Sequence, residues 1–182
     1  MQRTIQYIIL TILLSLGLAS CNNDPSLQRY FVDNQESTNF ISQDIPLSIL
    51  AVDQSKFSED QKEAYNSVKR LNFLGYKTTK GDSQAYNREL AKVKTILKGK
   101  KYSDLLEFSD KGTKVWVKYV GEEDDDETDE VVVFGSSDSL GFAVVRLLGD
   151  DMSPEKMTTL ASALQTSNLD SSSVQDIMAF FK

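Results

Sequence analysis

Residues 113–148 contain TKVWVKYV (113–120), EVVVF (130–134), GSSDSLG (135–141) and FAVVRLL (142–148). These segments decide the fold. In the first, Val115, Val117 and Tyr119 alternate with Lys114, Trp116 and Lys118, the period-two signature of a strand with two different faces. Glu130–Phe134 and Phe142–Leu148 are β-branched and almost continuously apolar, which predicts central strands covered on both faces. They flank a Gly135–Gly141 hairpin loop, and Val131, Val133, Val144 and Leu147 are its expected core residues. Upstream, Leu105–Ser109 and Thr113–Val120 flank Asp110-Lys111-Gly112, a hairpin turn signal.

Helices precede and follow these strands. Asp24-Pro25 reads as an N-cap and first helical residue, with Leu27, Tyr30 and Phe31 on one face. Tyr30-Phe31 suits either packing onto the domain or a membrane-interface anchor. Asn39–Asp44 starts a strand, and Ile45–Val52, with Pro46, is ambiguous. Ser58-Glu59-Asp60-Gln61 is a capping box opening a helix to about Arg70, with Ala64, Tyr65, Val68 and Leu71 aligned. Leu71–Thr79 is a strand interrupted by Gly75. A second long helix, capped by Asp82 or Ser83, presents Tyr86, Leu90, Val93, Ile96 and Leu97 and stops at Gly99. Ser153-Pro154-Glu155 opens another, with Met157, Leu160, Ala161 and Leu164 on one face, and a last helix carries Val174, Ile177, Met178 and Phe181. The order predicts an α+β domain: a mostly antiparallel sheet of about five to six strands with helices packed on it.

The N-terminus carries an address. After Arg3, Ile8–Leu18 is apolar apart from Thr11, Ser15 and Gly17. As a helix it spans about 16 Å, half of a bilayer core, which fits a signal peptide. Leu18-Ala19-Ser20-Cys21 follows, and it resembles a lipobox. That resemblance implies a signal peptide over residues 1–20, a diacylglyceryl or palmitoyl-type lipid on Cys21 as the covalent anchor, a short tether and helix over 21–37, and one domain over 38–182. Surface-exported lipoproteins tend to carry an acidic cluster just after the cysteine, and Asn22-Asn23-Asp24-Pro25 has only Asp24, so the resemblance implies the periplasmic face of the outer membrane rather than the cell surface.

Composition narrows the chemistry. The chain has 20 basic and 27 acidic residues, and losing Arg3 with the leader takes its net charge from −7 to −8. That disfavours a nucleic-acid partner. Cys21 is the sole cysteine and there is no histidine. No internal disulfide, cysteine nucleophile, Ser-His-Asp triad or histidine-based zinc site can form. A catalyst would need carboxylates, and a carboxylate-based hydrolase ranks behind two non-enzymatic readings: a domain that binds another envelope protein, and a domain that binds a small ligand or divalent cation.

The cation reading rests on EEDDDETDE (122–130), eight carboxylates in nine residues. Glu122, Asp124, Asp126 and Asp129 are its candidate ligands, since calcium takes six to eight oxygens. The alternative is a solvated, self-repelling loop. Trp116 between Lys114 and Lys118 reads as an exposed aromatic–cationic patch or as a Trp covered by a helix with lysine stems alongside. GSSDSLG lacks the lysine and following helix of a phosphate loop.

SEDQKEAYNSVKRLNFLGYKTT (58–79), ELAKVKTILKGKKYSDLLEF (89–108), KVWVKY (114–119) and EVVVFGSSDSLGFAVVRLLGDDMSPEKMTTLASAL (130–164), behind the lipobox and the Leu27-Tyr30-Phe31 helix, together resemble the DUF4252 family of lipoproteins, found mainly in Bacteroidota. The resemblance implies a membrane-anchored envelope protein and brings no catalytic residue with it.

Overall fold

The computed structural model describes residues 25–49, 52–78, 82–110, 112–121 and 126–165. The signal segment, Cys21, Glu122, Asp124 and the last expected helix lie outside them. Six strands form one antiparallel sheet: β1 (Phe40–Pro46), β2 (Val68–Lys77), β3 (Tyr102–Asp110), β4 (Thr113–Val120), β5 (Thr128–Ser137) and β6 (Gly141–Met152). Their spatial order is β1-β2-β6-β5-β4-β3. The two apolar strands, β5 and β6, are the central pair, in register Val133↔Val145 and Phe134↔Val144.

Four helices cover the sheet: α1 (Leu27–Asn34), α2 (Glu59–Ser67), α3 (Ser83–Leu97) and α4 (Pro154–Gln165). Alternation along the strands creates two cores. On one face Leu74, Val132, Phe134, Phe142 and Val144 meet Leu27, Tyr30 and Phe31 of α1 and Tyr86, Val93, Ile96 and Leu97 of α3. Tyr76 stacks on Phe142 at 5.4 Å, and Phe40 stands edge-on to Tyr76 at 5.0 Å. On the other face Val68, Tyr119, Val131 and Met152 meet Ala64 and Tyr65 of α2 and Met157, Leu160 and Ala163 of α4.

Local chemistry explains where the elements begin and end. The Ser58–Gln61 capping box forms, with Gln61 N donating to Ser58 Oγ and Ser58 N to Gln61 Oε1. The helix stops at Ser67 rather than near Arg70, because residues from Val68 onward pair with β6. Ser67 Oγ donates to Ala64 O (2.8 Å), satisfying a carbonyl the last turn leaves open. Helix and strand join with no linker. The junction passes so near β6 that a Cβ at Gly149 would stand 2.0 Å from Ser67 O, so glycine is required there. Val68 and Leu71 still join the α2 cluster, but as strand residues.

Other boundaries shift for similar reasons. Ser26, not Asp24, caps α1, its Oγ accepting from Arg29 N (3.2 Å). Asp82 precedes α3 without a capping hydrogen bond, because its carboxylate accepts from Tyr76 Oη (2.9 Å). The expected Gly135–Gly141 loop shrinks to Asp138–Leu140, since both strands continue through it as a ladder, Gly135↔Ala143 and Ser137↔Gly141. Pro46 ends β1 at the sheet edge, where its missing N–H costs no ladder bond. On α4 the third buried residue is Ala163, while Ala161 is exposed.

Candidate functional site

The α2/α4 face of the sheet is covered unevenly. Val131 is buried here as expected, as Val144 is on the opposite face, but Val133 and Leu147 are only half-buried. Together with Val117 they floor a groove of about 380 Å³ between α4 and strands β3–β6. Met157, Leu160 and Ala161 form its helical wall. Leu105 and Leu106 form the opposite wall. Two consecutive leucines on one side of a strand break the period-two rule, and a register shift between Asp104 and Leu106 permits it. Leu106 is 53% exposed and Phe108, further along the edge strand β3, is 46% exposed.

The groove is chemically uniform. Among the described residues, no titratable side chain lines it. Its two hydroxyls, Thr158 and Ser162, donate back into their own helix, to Pro154 O (3.0 Å) and Thr158 O (3.1 Å). What such a surface can do is take apolar side chains out of water, about 1.5–3 kcal/mol for each residue fully buried.

The acidic run divides. β5 begins at Thr128, so Asp129 and Glu130 are strand residues rather than loop. Glu130 is committed to Arg146: Nε donates to Oε1 (2.8 Å) and Nη2 to Oε2 (3.0 Å), with both side chains largely buried. The Arg146 guanidinium lies 5.5 Å from the centre of the Phe31 ring. Asp126 and Asp129 are exposed. Among the described residues, no three carboxylate, cysteine or histidine side chains group to hold a metal ion.

Trp116 sits on the α1/α3 face, half-buried against Phe134, with Lys94 Nζ of α3 5.8 Å from its ring centre. Lys118 is buried and pairs with Asp104 at 2.5 Å. Of the two readings of this patch, the helix-covered one is the geometry found. Tyr30 and Phe31 are likewise buried in the domain. Tyr30 Oη donates to Glu89 (3.1 Å), and burial, then the Glu89 charge, raises its pKa. Glu89 also accepts from Lys92 (2.8 Å). A second concavity of about 420 Å³ lies here between α1 and α3, with Arg29, Arg88 and Lys92 on its walls. A neighbouring one of about 670 Å³ is bounded by Pro25, Ser26, Lys100 and Lys101.

The sequence carried one signal for the groove, the Leu105-Leu106 doublet inside a strand. It had no signal for the Glu130–Arg146 pair, whose partners are sixteen positions apart and meet through the β5–β6 register. Among the described residues no helix is long and apolar enough to cross a membrane. No curated protein matches the chain, and no solved structure does. Residues 30–160 match the family model described as "Domain of unknown function (DUF4252)", a span that takes in all six strands and most of both cores, and the chain therefore belongs to the DUF4252 family.

Proposed function

We propose that this chain is a lipid-anchored envelope protein of Bacteroidota that acts by binding, without catalysis, and that its working surface is the groove between α4 and the sheet. Cys21 carries the lipid, the leader over residues 1–20 is removed, and the domain stands on the periplasmic face of the outer membrane. The lipobox at Leu18–Cys21 supports the anchor. The observation that carries the binding reading is the open groove itself: a continuous apolar surface in a strongly acidic chain, edged by half-exposed Leu106. Its occupant is an apolar polypeptide segment, since a groove of about 380 Å³ has room for a few side chains and not for a second domain. Confinement to a membrane plane raises local concentration, so a few buried side chains suffice for useful occupancy.

A photo-crosslinking residue at Leu106, in the full chain in living cells, tests this. It should give a discrete polypeptide adduct that disappears when Ala161→Glu puts a charge on the helical wall. The same residue at Ala91, exposed on α3 across the sheet, should give none. Absence of any Leu106 adduct, whether to another polypeptide or within the chain itself, or an adduct with lipid alone, would remove the reading.

A further inference from the structure

We propose that the resident occupant of this groove is the chain's own C-terminal segment, residues 174–181, so that a partner gains the groove by displacing it. The proposal rests on the reading above that the groove takes an apolar polypeptide segment, and it names that segment.

Position comes first. The described chain ends at Gln165, the last residue of α4, and α4 is the groove's helical wall. Seventeen residues, 166–182, continue from that point. Pattern comes second. Val174, Ile177, Met178 and Phe181 fall at i, i+3, i+4 and i+7, one stripe of a helix, with Gln175 and Asp176 off that stripe. That stripe has the chemistry the groove accepts, apolar and without charge. Reach comes third. Residues 166–173 read TSNLDSSS, polar apart from Leu169, and extend to roughly 26–29 Å. The groove crosses four strands, three spacings of about 4.8 Å, or roughly 14 Å. The connecting stretch is therefore long enough to bring the stripe back across the whole sheet face. As a helix, residues 174–181 span about 11 Å, comparable to that width.

Tethering makes this occupant hard to beat. A segment joined through eight residues acts at an effective concentration in the millimolar range, so a free partner must bind better or be concentrated to match. The membrane anchor supplies such concentration for a partner in the same plane. The groove is thus a regulated site, shielded until a competing segment arrives.

Two measurements decide it, the first on the full chain and the second comparing the full chain with a shortened one. Cysteines placed by Leu106→Cys and Ile177→Cys should form an intramolecular disulfide under mild oxidation, seen as a faster-migrating monomer. Ala91→Cys with Ile177→Cys should not, and the chain bearing Cys21 alone is the blank. A disulfide between two chains would overturn the proposal in favour of exchange with a second copy. In parallel, a chain ended after Gln165 should bind an anilinonaphthalene dye several-fold more brightly than the full chain, and Ala161→Glu in the shortened chain should reverse the gain. If the full chain is already bright and Ala161→Glu dims it, the groove is open and the segment lies elsewhere; the proposal fails and the groove reading survives. If every form is dark, the groove takes no apolar group and both fall.

Discussion

At Gly141 the backbone has φ +121°, and a Cβ there would stand 1.9 Å from Tyr76 O. Gly141→Ala should therefore cost at least about 2 kcal/mol, from strain and from the contact with fixed backbone. Gly135, in the facing strand, has no atom within 4 Å of such a Cβ and no left-handed φ. Gly135→Ala should leave the thermal midpoint almost unchanged, and equal losses at the two sites would show the hairpin geometry to be wrong. The buried Arg146–Glu130 pair makes a second residue-scale case. Arg146→Met strands a carboxylate in a dry setting and should cost about 3–5 kcal/mol, read from urea unfolding. A loss under about 1 kcal/mol would mean water reaches the pair. Neither feature was legible in the sequence, since a glycine's φ and a cross-strand partner are settled by register rather than by neighbours in the chain.

Two tyrosines extend this to pH. Burial, then hydrogen bonding to Asp82, pushes Tyr76 up to about 12, and burial, then the Glu130 charge, does the same for Tyr102. The unfolded chain ionises its tyrosines near the ordinary value of 10, so it gives up protons first. Stability is whole below about pH 10 and is lost as pH rises through about 12. Tyrosinate absorbance from these residues should appear together with loss of the far-ultraviolet strand signal. Their full ionisation with the fold intact would contradict the burial.

At the scale of elements, hydrophobic period did most of the work. It located β4, β5, β6, α3 and α4, and it set the central pair correctly because near-continuous apolar strands need cover on both faces. Its failure at residues 68–70 is instructive. Val68 and Leu71 lie three apart, a helical spacing that a regular strand would send to opposite faces; pairing with β6 makes them strand residues, and the register shift between Val68 and Arg70 leaves both in the same cluster. The same pairing makes Val144 a demanding core position, fully buried between Leu74 of β2 and Phe134 of β5. Val144→Asp would bury an unpaired charge and lose several kcal/mol. An unchanged thermal midpoint would refute the β6 assignment. Val133 and Leu147 are the opposite lesson. They have core residue types yet stay half-exposed, because α4 covers part of the sheet and the shift in β3 turns Leu105 and Leu106 together toward the gap.

At the scale of the whole molecule, the acidic composition and the apolar groove do not compete, since net charge keeps such a protein soluble while one face stays sticky. The anchor has its own test: labelled palmitate should enter the full chain and not Cys21→Ser, and equal labelling would discard it. The central claim is that the groove is occupied in the working protein, and thiol footprinting addresses it most directly. In the domain alone Leu106 is half exposed, so protection there requires an occupant. In intact envelopes, Leu106→Cys should react with a small maleimide at least an order of magnitude more slowly than Ala91→Cys, and adding Ala161→Glu should restore its rate. Equal rates at the two positions, with or without Ala161→Glu, would contradict the account.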